Sequence, residues 1–228
     1  MPMPAEPTGA TTPAHRVALT AQLNDTGIVA ILRSATAEHL EAVSETLARS
    51  GITCLELTLT TPGALEALAR VRGALDRSVA VGVGSVITEA QAAAALEAGA
   101  DFLVSPGVCV GVAREAVRNG VACYPGAWTA TEIIAAWDLG APAVKLFPAA
   151  SGGPRHLTHL RGPLPDIPLV PTGGVDLGRV GEYIAAGAVA VGLGGPLIGD
   201  ALQGGSLVAL GERAAAALRA VGDGRAQR

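Results

Sequence analysis

The sequence predicts a single (β/α)₈ barrel, an α/β fold in which eight parallel strands alternate with helices. Short apolar runs recur roughly every 20 to 25 residues, and alanine-rich amphipathic segments follow them, as in repeated βα units. The length, 228 residues, suits one compact barrel. A doubly wound open sheet is the alternative, but Gly82 and Gly84 lack the third glycine and the acidic partner of a dinucleotide-binding fingerprint.

Eight runs are predicted as strands because each is short and apolar and leads into a turn or a helix signal. In order they are residues 27–33, 53–58, 79–84, 101–104, 121–124, 143–148, 168–171 and 188–192.

Capping residues and glycines set the predicted helix limits. A helix covers about residues 37–50, and a long one, about residues 199–221, closes the chain. The other signals are Thr61-Pro62 and Thr88 as starts, Thr129 or Thr131 as a further start, and Gly51, Gly99 and Gly140 as stops.

Residues 1–15 are rich in Pro, Thr and Ala without periodicity, so we expect a disordered leader, a barrel over 16–222 and a flexible tail over 223–228. The net charge is −4 with no basic cluster, which argues against nucleic acid. No signal peptide and no apolar run of membrane length are evident, so we expect a cytoplasmic protein without a membrane partner. Cys54, Cys109 and Cys123 are predicted to be buried thiols rather than disulfides.

Lys145 is the only lysine of the chain, and it lies within an apolar strand. Burying a charged amine between Val144 and Leu146 is costly, so the neutral form is favoured there. A neutral amine attacks ketones and forms Schiff bases, which arginine cannot do. The structural alternative is a lysine whose amine reaches water from the strand end.

Glu56 is predicted to point into the barrel, because Leu55, Leu57 and Leu59 share the opposite face of their strand. An inward carboxylate is either half of an ion pair or a proton shuttle, and an inward lysine favours the shuttle. Arg33 ends the first strand at the same rim, where it forms a salt bridge or binds an anionic substrate.

Two glycine-rich turns follow the seventh and eighth strands, where barrels commonly bind phosphate. They are Thr172-Gly173-Gly174 and Leu193-Gly194-Gly195. His156 and His159 stand three residues apart, but no carboxylate or cysteine accompanies them, so we predict neither a metal nor a cofactor.

These segments together resemble the class I aldolases of the 2-keto-3-deoxy-6-phosphogluconate (KDPG) and 4-hydroxy-2-oxoglutarate family. The matching stretches are residues 28–33, 55–58, 81–86, 103–106, 124–126 with 131–132, 144–148 and 170–175.

The resemblance implies that Lys145 forms the Schiff base and Glu56 is the general acid/base. It implies that Arg33 and Ser85 hold the carboxylate end, that Pro106 and Phe147 surround the pyruvyl carbon, and that the turns at 172–174 and 194–195 bind phosphate. It also implies a metal-free homotrimer that cleaves KDPG to pyruvate and glyceraldehyde 3-phosphate in the Entner-Doudoroff pathway.

Three positions depart from the family pattern. Thr60 stands where some members carry arginine, Ser85 replaces threonine, and Gly195, followed by Pro196, replaces a phosphate-binding serine. The same chemistry on the 6-phosphogalactonate epimer or on 4-hydroxy-2-oxoglutarate is therefore an alternative. A phosphate-ligand-binding barrel without catalysis, and a metal-dependent aldolase, are alternatives of other classes.

Overall fold

The computed structural model describes residues 16–228. They form an α/β fold in which a curled parallel sheet of six strands and a second, three-stranded parallel sheet are surrounded by ten α-helices. The predicted leader, residues 1–15, lies outside the described residues. Of the described helices, none has the length and apolarity needed to cross a membrane.

Eight of the nine strands lie within a few residues of their predicted positions, and the ninth, β6, was not predicted. Their bounds are β1 Ile28–Leu32, β2 Cys54–Thr58, β3 Ala80–Gly84, β4 Phe102–Val104, β5 Ala122–Tyr124, β6 Gly126–Ala127, β7 Val144–Leu146, β8 Leu169–Pro171 and β9 Val191–Leu193.

The six-stranded sheet has the order β5-β4-β3-β2-β1-β9, and the smaller sheet has the order β6-β7-β8. The predicted fifth strand, residues 121–124, is β5. Pro125, which has no N–H to donate to a sheet, separates it from β6, a short strand that the sequence did not predict. The Pro125 carbonyl still accepts a hydrogen bond from the Lys145 N–H at 2.9 Å. An isolated parallel bridge between Thr172 and Gly192 connects β8 to β9.

Helices lie between most of the strands, as the βα pattern predicts. Their bounds are α1 Ala21–Thr26, α2 Leu40–Arg49, α3 Ala64–Ala74, α4 Glu89–Glu97, α5 Val110–Arg118, α6 Ala130–Asp138, α7 Gly153–Arg161, α8 Val180–Ala185, α9 Gly195–Ile198 and α10 Leu207–Ala226.

Two predicted helix starts carry complete capping boxes, at Thr88 with Gln91 and at Thr129 with Glu132. The closing helix differs from its predicted range. It starts later than predicted, because Ala201–Gln203 form a 3₁₀ turn that ends in a left-handed turn at Gly204. The helix α10 begins only after the cap at Ser206, and it continues to Ala226. The helix therefore includes residues 223–226 of the segment expected to be a tail.

The sheets are apolar on both faces, as expected of a parallel sheet covered by helices. The outer face, with Leu55 and Leu57, packs with the helices in one large core. The inner face has its own cluster, which includes Cys54 and Leu23 of α1. The alternation predicted for β2 is confirmed, so the even-numbered positions of that strand, Glu56 among them, face inward.

Candidate active site

A cavity of about 240 Å³ opens at the carboxyl ends of β1, β7, β8 and β9. Residues that end strands or follow them form its wall, as in barrels whose sites are built on loops after the strands. The lining residues are Ile31, Arg33, Lys145, Phe147, Thr172, Gly173, Gly174, Val175, Gly192, Gly194, Gly195 and Pro196.

Lys145 lies in the middle of β7 and is only 9% exposed. Its Nζ lies 5.2 Å from the centre of the Phe147 ring. The side chain lines both the cavity and a small void of about 10 Å³ beneath it. The amine is therefore at the boundary between an accessible chamber and the inner core, rather than extended into water.

Glu56 lies in β2 and is 1% exposed. Within the part of the chain that the structure describes, its Oε1 is buried without a hydrogen-bond partner, and no arginine of residues 16–228 forms an ion pair with this carboxylate. Glu56 lines the same void as Lys145, together with Val29, Val104 and Val170. The structure therefore brings the two predicted catalytic side chains to one enclosed, mainly apolar space.

Arg33 and Ser85 meet across two strand ends. Arg33 follows β1, Ser85 follows β3, and an Arg33 Nη2–H donates to Ser85 Oγ at 3.2 Å. Ser85 has φ of 62°, in the left-handed region that residues other than glycine seldom adopt. Arg33 lines the cavity and Ser85 positions its guanidinium, so this pair can present an anion-binding group at the mouth.

The two predicted glycine turns also border the cavity. Gly173 and Gly174 have φ of 88° and 70°, so a left-handed backbone is needed at both. A Cβ at Gly173 would lie 2.8 Å from the Phe147 ring, which shows how closely this turn approaches the aromatic side chain. Gly194 and Gly195 begin α9 and leave open backbone beside the cavity.

Pro106 is a predicted site residue that lines neither the cavity nor the void beneath it. It follows β4, and its carbonyl oxygen lies 2.1 Å from the place that a Cβ at Gly126 would occupy. The loop bearing Pro106 therefore packs closely on β6, which pairs with the lysine strand. Phe147 does line the cavity and is 38% exposed.

Several lining residues were not among the sequence candidates. Ile31, Val175 and Pro196 supply apolar wall, and Gly192 lies beneath the Thr172 side chain. The alternation of β1 was a signal for Ile31, since it lies two residues before Arg33. The others adjoin predicted positions, and apolar or glycine residues in a turn gave no chemical signal of their own.

His156 stacks on Trp128 with ring centres 4.1 Å apart, and its Nε2 lies 3.0 Å from the Trp128 carbonyl oxygen. The ring is thus part of the packing between α7 and the loop after β6. Over residues 16–228, no three His, Cys, Asp or Glu side chains are grouped as a metal site requires.

Known proteins are similar to this chain in sequence and in fold. The family model for KDPG and KHG aldolase matches residues 19–209. The 2-dehydro-3-deoxy-phosphogluconate aldolase of Pseudomonas aeruginosa is 40% identical over 144 residues, 63% of this chain and 65% of that protein, so the matched region spans just under two thirds of that relative. A probable 2-dehydro-3-deoxy-6-phosphogalactonate aldolase of Rhizobium meliloti is 33% identical over 79% of this chain and 85% of its own.

A solved structure of KDPG aldolase from Legionella pneumophila has a TM-score of 0.78 and 26% identity, and the match covers 90% of this chain and 98% of that one. It was captured with pyruvate as a covalent carbinolamine intermediate.

An α/β fold whose parallel sheets carry an inward lysine and an inward carboxylate is the arrangement of a class I aldolase, a lyase. The matches identify the group: the chain belongs to the KDPG and KHG aldolase family, which confirms the resemblance found in the sequence.

Proposed function

We propose that the protein cleaves 2-keto-3-deoxy-6-phosphogluconate to pyruvate and glyceraldehyde 3-phosphate through a Schiff base on Lys145. One observation supports the proposal above all. Lys145, the single lysine, and Glu56, a buried carboxylate whose Oε1 has no hydrogen-bond partner among residues 16–228, line one enclosed space. That space lies below a cavity bordered by glycine turns. The carbinolamine in the Legionella structure supports the same chemistry in a relative.

The mechanism begins when the neutral Lys145 amine attacks the C2 ketone, and loss of water gives a protonated imine. Glu56, through a water molecule, removes the C4 hydroxyl proton. The C3–C4 bonding electrons pass to the imine, which releases the aldehyde and leaves an enamine. Glu56 returns a proton to C3, and water hydrolyses the imine to free pyruvate and Lys145.

The two ends of the substrate have separate partners in this proposal. Arg33, held by Ser85, binds the carboxylate, and Phe147 covers the pyruvyl carbon, while the Pro106 loop supports the lysine strand from behind β6. Gly173, Gly174, Gly194 and Gly195 bind the phosphate through backbone N–H groups. Thr172 begins the first of these turns, and its own donors hold the turn in place: its N–H donates to the Leu146 carbonyl at 2.9 Å and its hydroxyl to the Val170 carbonyl at 3.1 Å. The location of the glycine turns in the cavity wall supports this assignment.

A second candidate is the same reaction on a smaller or epimeric substrate. Gly195 and Pro196 supply no side-chain hydroxyl to the cavity, and a charged hydrogen bond of that kind contributes about 1.5 to 3 kcal/mol. This favours 4-hydroxy-2-oxoglutarate, which has no phosphate. The Rhizobium relative supports the 6-phosphogalactonate epimer instead.

We also infer that the two sheets close into one (β/α)₈ barrel of residues 16–222. The bridge between Thr172 and Gly192 and the continuity of the chain through Pro125 support closure.

A homotrimer is proposed as well, and the exposed apolar side chains of Ile87, Val110 and Ile134 support a subunit contact. Light scattering coupled to size exclusion tests the trimer. The cytoplasmic location stays a prediction from the sequence.

Borohydride trapping with pyruvate tests the proposed function. Reduction converts an imine to a stable amine, and with one lysine in the chain only Lys145 and the N-terminal amine can be labelled. We expect an adduct on the Lys145 peptide, unaffected by a chelator, and none in Lys145→Met. A folded protein that binds phosphate without any adduct would instead be a non-catalytic binding barrel, and chelator-sensitive cleavage would indicate a metal-dependent aldolase.

A further inference from the structure

The void that Lys145 and Glu56 share is closed on the side away from the cavity, and we call the apolar side chains that close it the floor. The void beneath Lys145 and Glu56 measures about 10 Å³, roughly the space of one water molecule. Four hydrocarbon side chains, Leu23, Val29, Val104 and Val170, line it with the Tyr124 ring. Lys145 therefore contacts the open cavity on one side, and on the other side these apolar side chains close the space that it shares with Glu56.

The N-terminal segment, residues 16–26, forms part of that floor. Leu23 of α1 is 1% exposed and lies in the inner cluster. A helix of six residues does not persist alone in water, so tertiary contacts hold α1 in place.

Three sets of polar contacts hold this segment. At its start, Arg16 lies 3.2 Å from the centre of the Trp137 ring and donates to the Trp137 carbonyl. At its end, Arg225 donates to the Asn24 and Asp25 carbonyls. In the middle, the Thr20 N–H donates to Tyr124 Oη at 3.1 Å, and the Thr20 hydroxyl lies 3.0 Å from the same oxygen.

The Thr20 contact differs from the other two because Tyr124 also lines the void with Glu56 and Lys145. Burial raises the pKa of Tyr124 to about 12, so the phenol stays neutral at ordinary pH and acts as a hydrogen-bonding group rather than an acid or base. Its ring packs against Phe102 with centres 5.7 Å apart, which fixes the position of the hydroxyl.

We infer that Thr20 and Tyr124 form a floor latch, and that Tyr124 is a positioning residue that keeps residues 16–26 closed beneath Lys145 and Glu56. The latch does not touch the substrate. It closes the space beneath Lys145 and Glu56 to further water and holds these two groups in place. The inference rests on the proposed function, because the latch acts on the chemical step assigned to those two groups.

Tyr124→Phe and Thr20→Val test the latch with little other change. The first keeps the ring and its packing on Phe102. The second preserves side-chain shape, and the Thr20 hydroxyl is not a cap of α1. Arg16→Gln is the matched control, because it frees the start of the same segment at Trp137, away from the void.

The readouts are amide hydrogen exchange over residues 16–27 and the separate values of kcat and KM for KDPG. We expect faster exchange in Tyr124→Phe and Thr20→Val, a fall in kcat of about three- to tenfold and an unchanged KM, since the loss of one neutral hydrogen bond sets the scale. In Arg16→Gln we expect faster exchange at the start of the segment and unchanged kcat.

Wild-type kcat in both latch variants would overturn the inference, and so would an equal loss of kcat in Arg16→Gln, which would show a general effect of loosening the segment. Failure of the proposed function is distinguished by borohydride trapping of the wild-type protein. If Lys145 takes no pyruvate adduct, that function fails, and the inferred effect of the latch on it fails too, whereas the exchange data still measure whether the latch holds the segment.

Discussion

Gly84 makes room for the carboxylate of Glu56. The two residues lie on the neighbouring strands β2 and β3, and a Cβ built at Gly84 would stand 1.8 Å from Glu56 Oε1 and 2.4 Å from its Cδ. A carbon and an oxygen that are not bonded to each other cannot lie so close together. The absence of a side chain at position 84 therefore sets where the carboxylate lies.

Gly84→Ala is expected to displace Glu56 and lower kcat by about 100-fold or more, the scale of general acid/base catalysis. Gly84 does not have a positive φ, so the effect is steric and not a backbone penalty. The control is Gly73→Ala in α3, where a Cβ meets nothing within 4 Å. Steady-state kinetics and circular dichroism measure both variants, and a near-normal kcat in folded Gly84→Ala would contradict the role of Glu56.

Glu56→Gln separates proton transfer from imine formation. Glutamine has nearly the same volume, so Lys145 should still be trapped with pyruvate and borohydride. The exchange of pyruvate methyl protons with deuterated water, followed by NMR, should slow by about 10²- to 10⁴-fold, because no carboxylate moves the C3 proton. Fast exchange in this variant would assign the proton transfer to another group.

Arg33→Gln should raise KM for the keto acid and lower kcat/KM by about 10- to 150-fold, the equivalent of a charged hydrogen bond. Steady-state kinetics measure both values.

Ser85 offers a finer test, because its φ of 62° adds strain to a residue that also holds Arg33. Ser85→Ala removes the hydroxyl and keeps the strain, whereas Ser85→Gly removes both. We expect similar kinetic losses but a higher melting temperature for the glycine variant; equal melting temperatures would argue against strain.

Gly195→Ser should strengthen phosphate binding. A Cβ at Gly195 meets nothing within 4 Å, so a serine fits without rearrangement and adds a hydroxyl to the cavity wall. Competitive inhibition by inorganic phosphate should tighten by about tenfold. Gly178→Ser is the control, since it is equally open but outside the cavity. An unchanged inhibition constant in Gly195→Ser would place the phosphate elsewhere.

Buried thiols should make the fold sensitive to alkali. Burial raises the pKa of Cys123 to about 12 and also raises that of Cys54, so the folded state retains protons that the unfolded chain releases. Their contribution to stability is complete below the unfolded pKa of about 8.5 and is lost as pH rises toward the folded values. Urea midpoints from pH 7 to 11 should fall accordingly. The Cys54→Ala/Cys123→Ala variant should show a shallower fall, and an identical one would contradict this assignment.

The sequence predicted eight of the nine strands and the inward direction of Glu56, because short apolar runs and alternation within a strand are local patterns. Capping boxes at Thr88 and Thr129 were equally local signals. The role of Gly84 was not predictable, because it depends on which strand lies beside β2 and on the distance between them. Thr20 and Tyr124 are separated by about a hundred residues, and nothing in either local pattern predicts their contact.

The break at Pro125 is a case in which the residue was visible in the sequence but its structural effect was not. Its effect on pairing emerges only once Lys145 is seen to donate to the Pro125 carbonyl. The later start of the closing helix, after Gly204, is similar, since glycine is tolerated within helices and its left-handed conformation became decisive only in the folded chain.

The pairing of β1 with β9, in which Ile28 lies opposite Val191, has a consequence for biosynthesis. A ribosome releases β1 long before it makes β9, so one edge of the first strand stays unpaired while most of the chain is synthesised. Such distant pairing slows folding. We therefore expect the proposed catalytic pair, Glu56 and Lys145, to form late, and chains truncated before Val191 to aggregate rather than act as partial enzymes.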